Sequence, residues 1–392
     1  MLSDNPLRAA DVRINNEKII LSRIYENQKT GISQSELVRE TGLKAPTLLR
    51  IFSKLEELGL IETIDPADCR TSKNGKGGRY PVLYTIRGDA LYTIGLEFWG
   101  ASLSLGVFNF SGRLVFSRTE SLRLNIDTRE LIDCILRIIN ETLENLKIPR
   151  EKVPGIGVAA PGQIDVTNRR VVFYSRIKGM RDFPLAGELE KRLGIKILIH
   201  NNCSAIAFSE YRYGAYKHRE SMFVFLLRIG VNGAFVNKQG IYITNQGTTL
   251  ECGHLPIDPK GGPLCSCGKR GCLQAFLADL DSANVEAGLP LFYNLEAPLR
   301  AGDSEAVRRI NLAADYLMIS MKSIMLLLAP ESFLVIGAGL QVSQMLAERI
   351  REKLLRESDV YAPYPPSIFS HTYDPLVAQR GASDLVLADY FS

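Results

Sequence analysis

The sequence predicts an α/β protein in two parts, a winged helix-turn-helix followed by an internally duplicated α/β domain. Three observations carry this. Two short helical patterns around a tight turn are followed by two strands and a basic hairpin, all within the first 87 residues. From Leu91 a meander of strands leads into an α/β crossover, and the same order restarts near Met222. Inside the second unit lies a turn-rich segment, ECGHLPIDPKGGPLCSCGKRGC, at residues 251–272. Helices must cover both faces of sheets built this way.

Taken in order, Ile19, Ile20, Leu21 and Ile24 give residues 16–27 one apolar helical face. Ser33 and Glu36 form a capping-box pattern that satisfies free N–H groups at a helix start. That helix runs to about Thr41, where Gly42 supplies the stop. A third helix begins near Pro46, carries Leu48, Ile51, Leu55 and Leu58 at helical spacing, and closes at Gly59. Strands at 61–64 and 80–86 bracket the hairpin DPADCRTSKNGKGGR. Its tip carries Arg70, Lys73, Lys76 and Arg79, suited to phosphates or a minor groove. The first residues of a recognition helix reach base edges, so Lys44, Thr47 and Arg50 are the candidate DNA contacts, with Ala45 available to a thymine methyl. The expected partner is double-stranded operator DNA, and the DNA-binding domain is placed at 1–87.

The rest, 88–392, reads as strands at 92–97, 101–108 and 113–119, a helix at 128–146, a strand at 153–159, a helix at 184–193 and a strand at 195–199. The second unit reads as strands at 222–229, 233–237 and 240–243, a long apolar helix at 310–328, a buried strand at 333–336 and a helix at 343–356.

Cys265, Cys267 and Cys272, with His254 upstream, supply three thiolates and an imidazole. That is the closed four-ligand set of a structural Zn2+ site, with no open position for catalysis. A disulfide fits less well, because Cys265 and Cys267 are too close to pair comfortably.

Glu251-Cys252-Gly253-His254 followed by Cys265-Ser266-Cys267-Gly268-Lys269-Arg270-Gly271-Cys272 resembles the signature of the ROK family of repressors and sugar kinases. Residues 16–86, with the Gly77-Gly78-Arg79 wing, resemble its repressors. The resemblance implies an actin-like, ribonuclease H-type ATPase fold over residues 91–392. It also implies a zinc loop that presents sugar-binding residues. By this resemblance Asn201, Asn202, Glu251, His254 and Gln274 are the sugar-facing positions, with Gln274 where the family usually has Glu. Arg176 and Lys178 lie near a loop that contacts sugar in relatives; they read first as solvated loop charges, and in contact with a ligand such cations would favour an acidic or phosphorylated sugar.

Three departures speak against phosphoryl transfer. Kinases of the family carry Asn-Asp where this chain has Asn201-Asn202, and a carboxamide cannot accept the hydroxyl proton. The first phosphate loop, Asp-x-Gly-Gly-Thr in kinases, reads Glu97-Phe98-Trp99-Gly100-Ala101. The second, Gly-x-Gly-x-Gly-Gly, reads Arg228-Ile229-Gly230-Val231-Asn232-Gly233. Bulky side chains obstruct the backbone approach that such loops need. Gly337-Ala338-Gly339, on the adenosine side, survives. Glu97 or Asp165 would have to serve as an alternative base. The expected function is a non-enzymatic, sugar-responsive transcriptional regulator. It would take a sugar or sugar phosphate and act as a homodimer or homotetramer. A divergent sugar kinase and a regulator governed by a protein partner are the alternatives.

Composition fits this. The 392 residues are 46% hydrophobic and 23% charged, with a formal charge of +4 that does not by itself argue for nucleic acid. The N-terminus lacks the apolar core of a signal peptide, and no apolar run looks long enough to span a bilayer; residues 316–330 are short and include Lys322. Seven cysteines, an odd number, suit a reducing cytoplasm with one metal cluster, leaving Cys69, Cys134, Cys203 and Cys252 as small-residue packing.

Overall fold

The computed structural model describes residues 9–64, 81–100, 102–123, 125–215, 218–356 and 364–392. The N-terminal unit comprises α1 (Ala9–Glu26), β1 (Ile32–Ser33), α2 (Gln34–Thr41), α3 (Ala45–Glu57), β2 (Ile61–Ile64) and β3 (Leu83–Ile86). Its small sheet has the order β1-β3-β2. The capping box forms as expected: Ser33 Oγ accepts from the Glu36 N–H at 3.3 Å, and the Ser33 N–H donates to Glu36 Oε2 at 2.8 Å. Gly42 ends α2 in the left-handed conformation. The apolar face of α1 is Ile20, Leu21 and Ile24; Ile19, expected with them, is 39% exposed. The hairpin bearing Arg70, Lys73, Lys76 and Arg79 lies outside the described residues.

The larger part contains two five-stranded sheets. The first is built from β4 (Tyr92–Trp99), β5 (Ser102–Asn109), β6 (Leu114–Ser121), α4 (Thr128–Leu146) and β7 (Ile156–Ala160). A small side sheet follows, β8 (Gln163–Asp165), β9 (Arg170–Phe173) and β10 (Arg181–Phe183), then α5 (Leu185–Leu193), β11 (Ile197–Asn201) and α6 (Asn202–Tyr213). The second half has β12 (Ser221–Leu227), β13 (Val231–Asn237), β14 (Gly240–Ile241), α7 (Leu273–Asp279), α8 (Ser282–Glu286), α9 (Glu296–Arg300), α10 (Ser304–Leu328), β15 (Ser332–Gly337), α11 (Leu340–Arg356), β16 (Ser367–Thr372) and α12 (Pro375–Phe391). The sheet orders are β11-β7-β4-β5-β6 and β14-β13-β12-β15-β16. Each is an antiparallel meander of three strands whose first member pairs in parallel with a fourth, and the fourth with a fifth. The duplication read from the sequence is therefore present, with β16 added to the four strands read for the second unit.

The final helix of each half crosses to the other. α6 follows β11 yet packs on β12 and β13, while α12 follows β16 yet packs on β4, β5 and β7. Glycine makes this contact possible. A Cβ on Gly95 would stand 1.7 Å from the Gln379 carbonyl oxygen, and one on Gly157 would stand 1.8 Å from that of Ala382. On α12 itself, a Cβ on Gly381 would stand 1.8 Å from the Ala205 carbonyl oxygen of α6. Neither crossing helix shows in the sequence pattern. Small and polar residues such as Gln379, Ser383 and Asp384 are buried along α12, so no polar stripe contrasts with an apolar one.

The winged-helix core does not close on itself. Phe110, from the β5–β6 turn, and Leu387 of α12 are buried with Ile20, Ile24, Phe52 and Leu55. The Tyr25 ring lies 5.2 Å from Phe391 and 6.0 Å from Phe110. The chain boundary near residue 87 thus crosses a shared apolar core.

Contrary to the sequence expectation, α10 is long and apolar enough to cross a membrane. Its composition answers to the core it fills, since Ile310, Ala313, Ala314, Leu317 and Met321 are all buried in the second half.

Gly157→Ala is expected to cost about 2 kcal/mol or more through overpacking against α12, read as a lower urea midpoint. Asp384, buried beside Tyr213, Tyr25, Arg212 and Arg380, has its carboxyl pushed up from 3.8 to about 7, chiefly by burial. The native state therefore binds that proton more tightly than the unfolded chain. This contribution to stability is present in acid and is lost as pH rises from about 4 through about 7. Asp384→Asn is expected to flatten the melting temperature over that window; an unchanged profile contradicts the assignment.

Candidate effector cleft and metal centre

Between the halves lies a cavity of about 800 Å³. Four of the five expected sugar-facing groups line it, and three of them converge from separate elements: Asn202 from the start of α6, Glu251 from the loop after β14, and Gln274 from α7. His254 and Arg176 also line it. Glu251 Oε1 is buried without a partner, and burial pushes its carboxyl up to about 7. An unpartnered buried acceptor facing a cavity suits a ligand hydroxyl. Gln274 is held by the Val231 N–H, which donates to Oε1 at 3.4 Å, and by its own Nε2, which donates to Ser266 Oγ at 3.3 Å.

Asn201 is placed differently. It caps α6: its Oδ1 accepts from the Cys203 N–H at 2.8 Å, and its Nδ2 donates to the Gly162 carbonyl at 2.8 Å. Its amide is committed to the backbone, and it does not line the cavity. Lys178 is likewise absent from the lining and sits in a backbone bridge to Asp127.

The four candidate metal ligands come together at one wall of the cavity. The donor atoms of His254, Cys265, Cys267 and Cys272 all lie within 4.8 Å of one another. Cys265 Sγ stands 3.5 Å from His254 Nδ1, and Cys267 Sγ stands 3.8 Å from Cys272 Sγ. Two thiolates held at about 2.3 Å on a tetrahedral ion stand about 3.8 Å apart, whereas a disulfide needs about 2.05 Å. The donor set and its spacing therefore fit a metal ion. Burial, then the Lys269 ammonium, lowers the His254 pKa towards the neutral imidazole that a metal requires. Gly271 lets the loop fold this tightly, since a Cβ there would stand 1.7 Å from the Asp258 carbonyl oxygen.

The two phosphate-loop positions meet at another part of the cavity, and they are filled. Arg228 begins the loop after β12, and Glu97 and Trp99 lie at the end of β4. Arg228 Nη1 donates to Glu97 Oε1 at 2.6 Å, with both side chains buried. The guanidinium lies 3.8 Å from the Trp99 ring centre and 4.0 Å from that of Tyr373. The Tyr373 hydroxyl donates to Glu97 Oε2, and burial, then the Glu97 charge, raises the tyrosine pKa. Ile229 closes on Gly100. The third loop is present but its amides are taken: Glu296 accepts from the Gln341 and Val342 N–H groups at the start of α11, at 3.2 and 3.0 Å. Glu97, considered as a substitute base, is thus locked in an ion pair. Asp165, the other candidate, accepts from the Asn168 N–H, Asn168 Nδ2 and Arg170 Nε, and holds the turn between β8 and β9. Sequence reasoning missed Tyr373 and Glu296, for both come from distant parts of the chain and neither belongs to a motif.

On α3, Lys44 and Arg50 are exposed and Thr47 is half-buried on its first turns, whereas Leu48 faces inward. Lys44 is the N-cap, with no side-chain capping bond.

Sequence comparison matches the ROK family to residues 93–388 and a winged helix-turn-helix DNA-binding family to residues 16–62. The chain belongs to the ROK family. It is 23% identical over 343 residues to the xylose repressor of Bacillus spizizenii, covering 86% of each protein. It is also 26% identical over 310 residues to the glucokinase of Thermotoga maritima, covering 74% of this chain and 95% of that one. Among solved structures, a ROK family transcriptional regulator described as a homolog of the E. coli MLC protein superposes with a TM-score of 0.79. The match has 20% identity and covers 96% of this chain and 97% of that one. A Streptomyces griseus ROK glucokinase bound to glucose and AMPPNP gives 0.61 at 22% identity, covering 75% of this chain and 98% of that one. The fold is thus a winged helix-turn-helix joined to the actin-like ROK fold, and the family includes both repressors and kinases.

Cys267→Ser is expected to leave the purified protein with less than about a tenth of the bound metal of wild type, measured by elemental analysis, because a closed site loses a ligand. Glu97→Ala, which strands a buried guanidinium, is expected to destabilise by about 3 kcal/mol in urea unfolding.

Proposed function

We propose that this protein is a sugar-responsive repressor of carbohydrate genes whose kinase-derived body senses its effector without phosphorylating it. The observation that carries this reading is the Arg228–Glu97 pair, buried against Trp99 and Tyr373 where a kinase would hold nucleotide phosphates. A buried, neutralised guanidinium leaves neither the open backbone nor the volume that phosphates require. The repressors among the relatives point the same way, and so does the carboxamide of Asn202 in place of a basic carboxylate.

In this reading Asn202, Glu251, Gln274 and His254 bind sugar hydroxyls, with Asn201 holding the start of α6. His254 Nδ1 faces a structural Zn2+ and leaves Nε2 for the ligand, so the metal fixes the orientation of a sugar contact. Arg176 is available to an acidic substituent. Lys44, Thr47 and Arg50 read the operator in the major groove, assisted by the wing cations Arg70, Lys73, Lys76 and Arg79. A symmetric dimer in the cytoplasm matches a palindromic site. Sugar binding draws the halves together and shifts the population of winged-helix arrangements.

A thermal-shift screen of the metal-loaded protein tests this, using monosaccharides, amino sugars and sugar phosphates with and without Mg-ATP. At least one sugar is expected to raise the melting temperature by mass action, and Mg-ATP is expected to change nothing. Sugar-dependent ATP turnover overturns the reading in favour of a kinase, and silence from every sugar overturns it in favour of a protein partner. On a duplex selected in vitro by the full-length protein, Arg50→Ala is expected to weaken binding about tenfold or more. Unchanged affinity removes Arg50 from the interface.

A further inference from the structure

The start of α6 lies in the cavity, and its other end lies at the winged helix. Asn202 lines the cavity as the first residue of this helix. Tyr213, its last residue, donates its hydroxyl to Asp384 Oδ1 of α12 at 3.1 Å. Tyr25 of α1 lies close enough to Tyr213 and Asp384 to interact with both electrostatically. Arg380 and Arg212 flank the Tyr213 ring, with guanidinium carbons 5.5 and 5.6 Å from its centre. One helix thus touches both the cavity and the DNA-binding unit.

The contact between α6 and α12 is a fulcrum. The Ala205 carbonyl of α6 meets Gly381 of α12 with no room for a Cβ, so the two backbones are in direct contact there. Ala205 lies three residues from Asn202 and eight from Tyr213. At about 1.5 Å per residue the short arm is about 4.5 Å and the long arm about 12 Å. A tilt that moves Asn202 therefore moves Tyr213 between two and three times as far. α12 is itself seated on β4 and β7 through Gly95 and Gly157, so it provides the fixed member.

The far end has two seats. Asp384 Oδ1 is taken by Tyr213, while Oδ2 is buried with no partner. A hydroxyl that moves from one oxygen to the other keeps a hydrogen bond and changes its relation to Tyr25. That is a discrete two-position element, which coupling between sites requires. Three residues further along α12, Leu387 enters the winged-helix core, followed by Tyr390 and Phe391 packed against it.

We propose that α6 is a lever, pivoting at Ala205 on Gly381, that carries occupancy of the cavity to α1 through Tyr213, Asp384 and Tyr25. The proposal rests on the cavity being the effector site. Tyr213 and Asp384 act as coupling residues and touch neither effector nor DNA.

A ligand-free experiment separates it from the sugar screen, whose failure would leave this result standing. Amide exchange is followed by mass spectrometry in the full-length protein, in Asn201→Ala, in Tyr213→Phe and in the double variant. Asn201→Ala removes the cap and loosens the cavity end of α6. It is expected to speed exchange in residues 9–26 by about fivefold. In the Tyr213→Phe background the same change is expected to have no effect on residues 9–26 while still speeding exchange at the start of α6. The proposal is overturned if residues 9–26 do not respond to Asn201→Ala, or respond equally with and without Tyr213. Exchange in β12 and β15 reports the global fold. If Asn201→Ala disturbs those strands, Asn201→Asp, which keeps the cap acceptor and loses the donor to Gly162, replaces it under the same criteria.

Discussion

The architecture depends on backbone meeting backbone where α12 crosses the first sheet. Gly95 and Gly157 on adjacent strands leave room for two carbonyls of one helix, and Gly381 returns the favour to α6. Any side chain at these points would push the layers apart, because interiors are packed too densely to absorb an extra methyl group. The exchange of terminal helices between the halves follows from this seating. So does the position of the winged helix, whose core is completed by the last turns of the same α12.

The cleft between the halves shows two kinds of burial. At the phosphate loops the charges are paired inside the protein: Arg228 with Glu97 and two aromatic rings, Glu97 also with Tyr373, and the amides of α11 with Glu296, while Arg228 Nε and Nη2 are buried without a hydrogen-bond partner. At the other end Glu251 keeps an oxygen with no partner and faces the cavity. A buried acceptor without a partner that faces a cavity suits a ligand hydroxyl. The cleft is thus filled by side chains at the phosphate-loop positions and open at the end that Glu251 faces. The His254–Cys265–Cys267–Cys272 cluster borders that open part from one side.

Much of this was legible in advance for local reasons. The capping box at Ser33 and Glu36 involves residues three apart, the metal ligands lie within nineteen residues of one another, and the strand meanders alternate or run apolar over short windows. Glycine-to-bulky changes in both phosphate loops were visible as substitutions. How they act was not: the sequence predicts that Phe98 and Trp99 obstruct, but Phe98 is in the core, and the obstruction is a cation drawn from 131 residues away. The sequence likewise assigns Asn201 to the sugar, while the fold assigns it to the end of a helix.

By itself the sequence determined the class of each part, the family, the candidate metal-ligand cluster and the departures from the kinase motifs, because these reside in short windows where spacing implies geometry. Tertiary structure alone decided the rest. α6 and α12 are buried on several sides by opposite halves, so they carry no periodic stripe to announce them. The partners of Arg228, the seat of Tyr213 on Asp384 and the completion of the winged-helix core by Leu387 join residues hundreds of positions apart. Such contacts arise from chain crossings, and only the folded molecule specifies them.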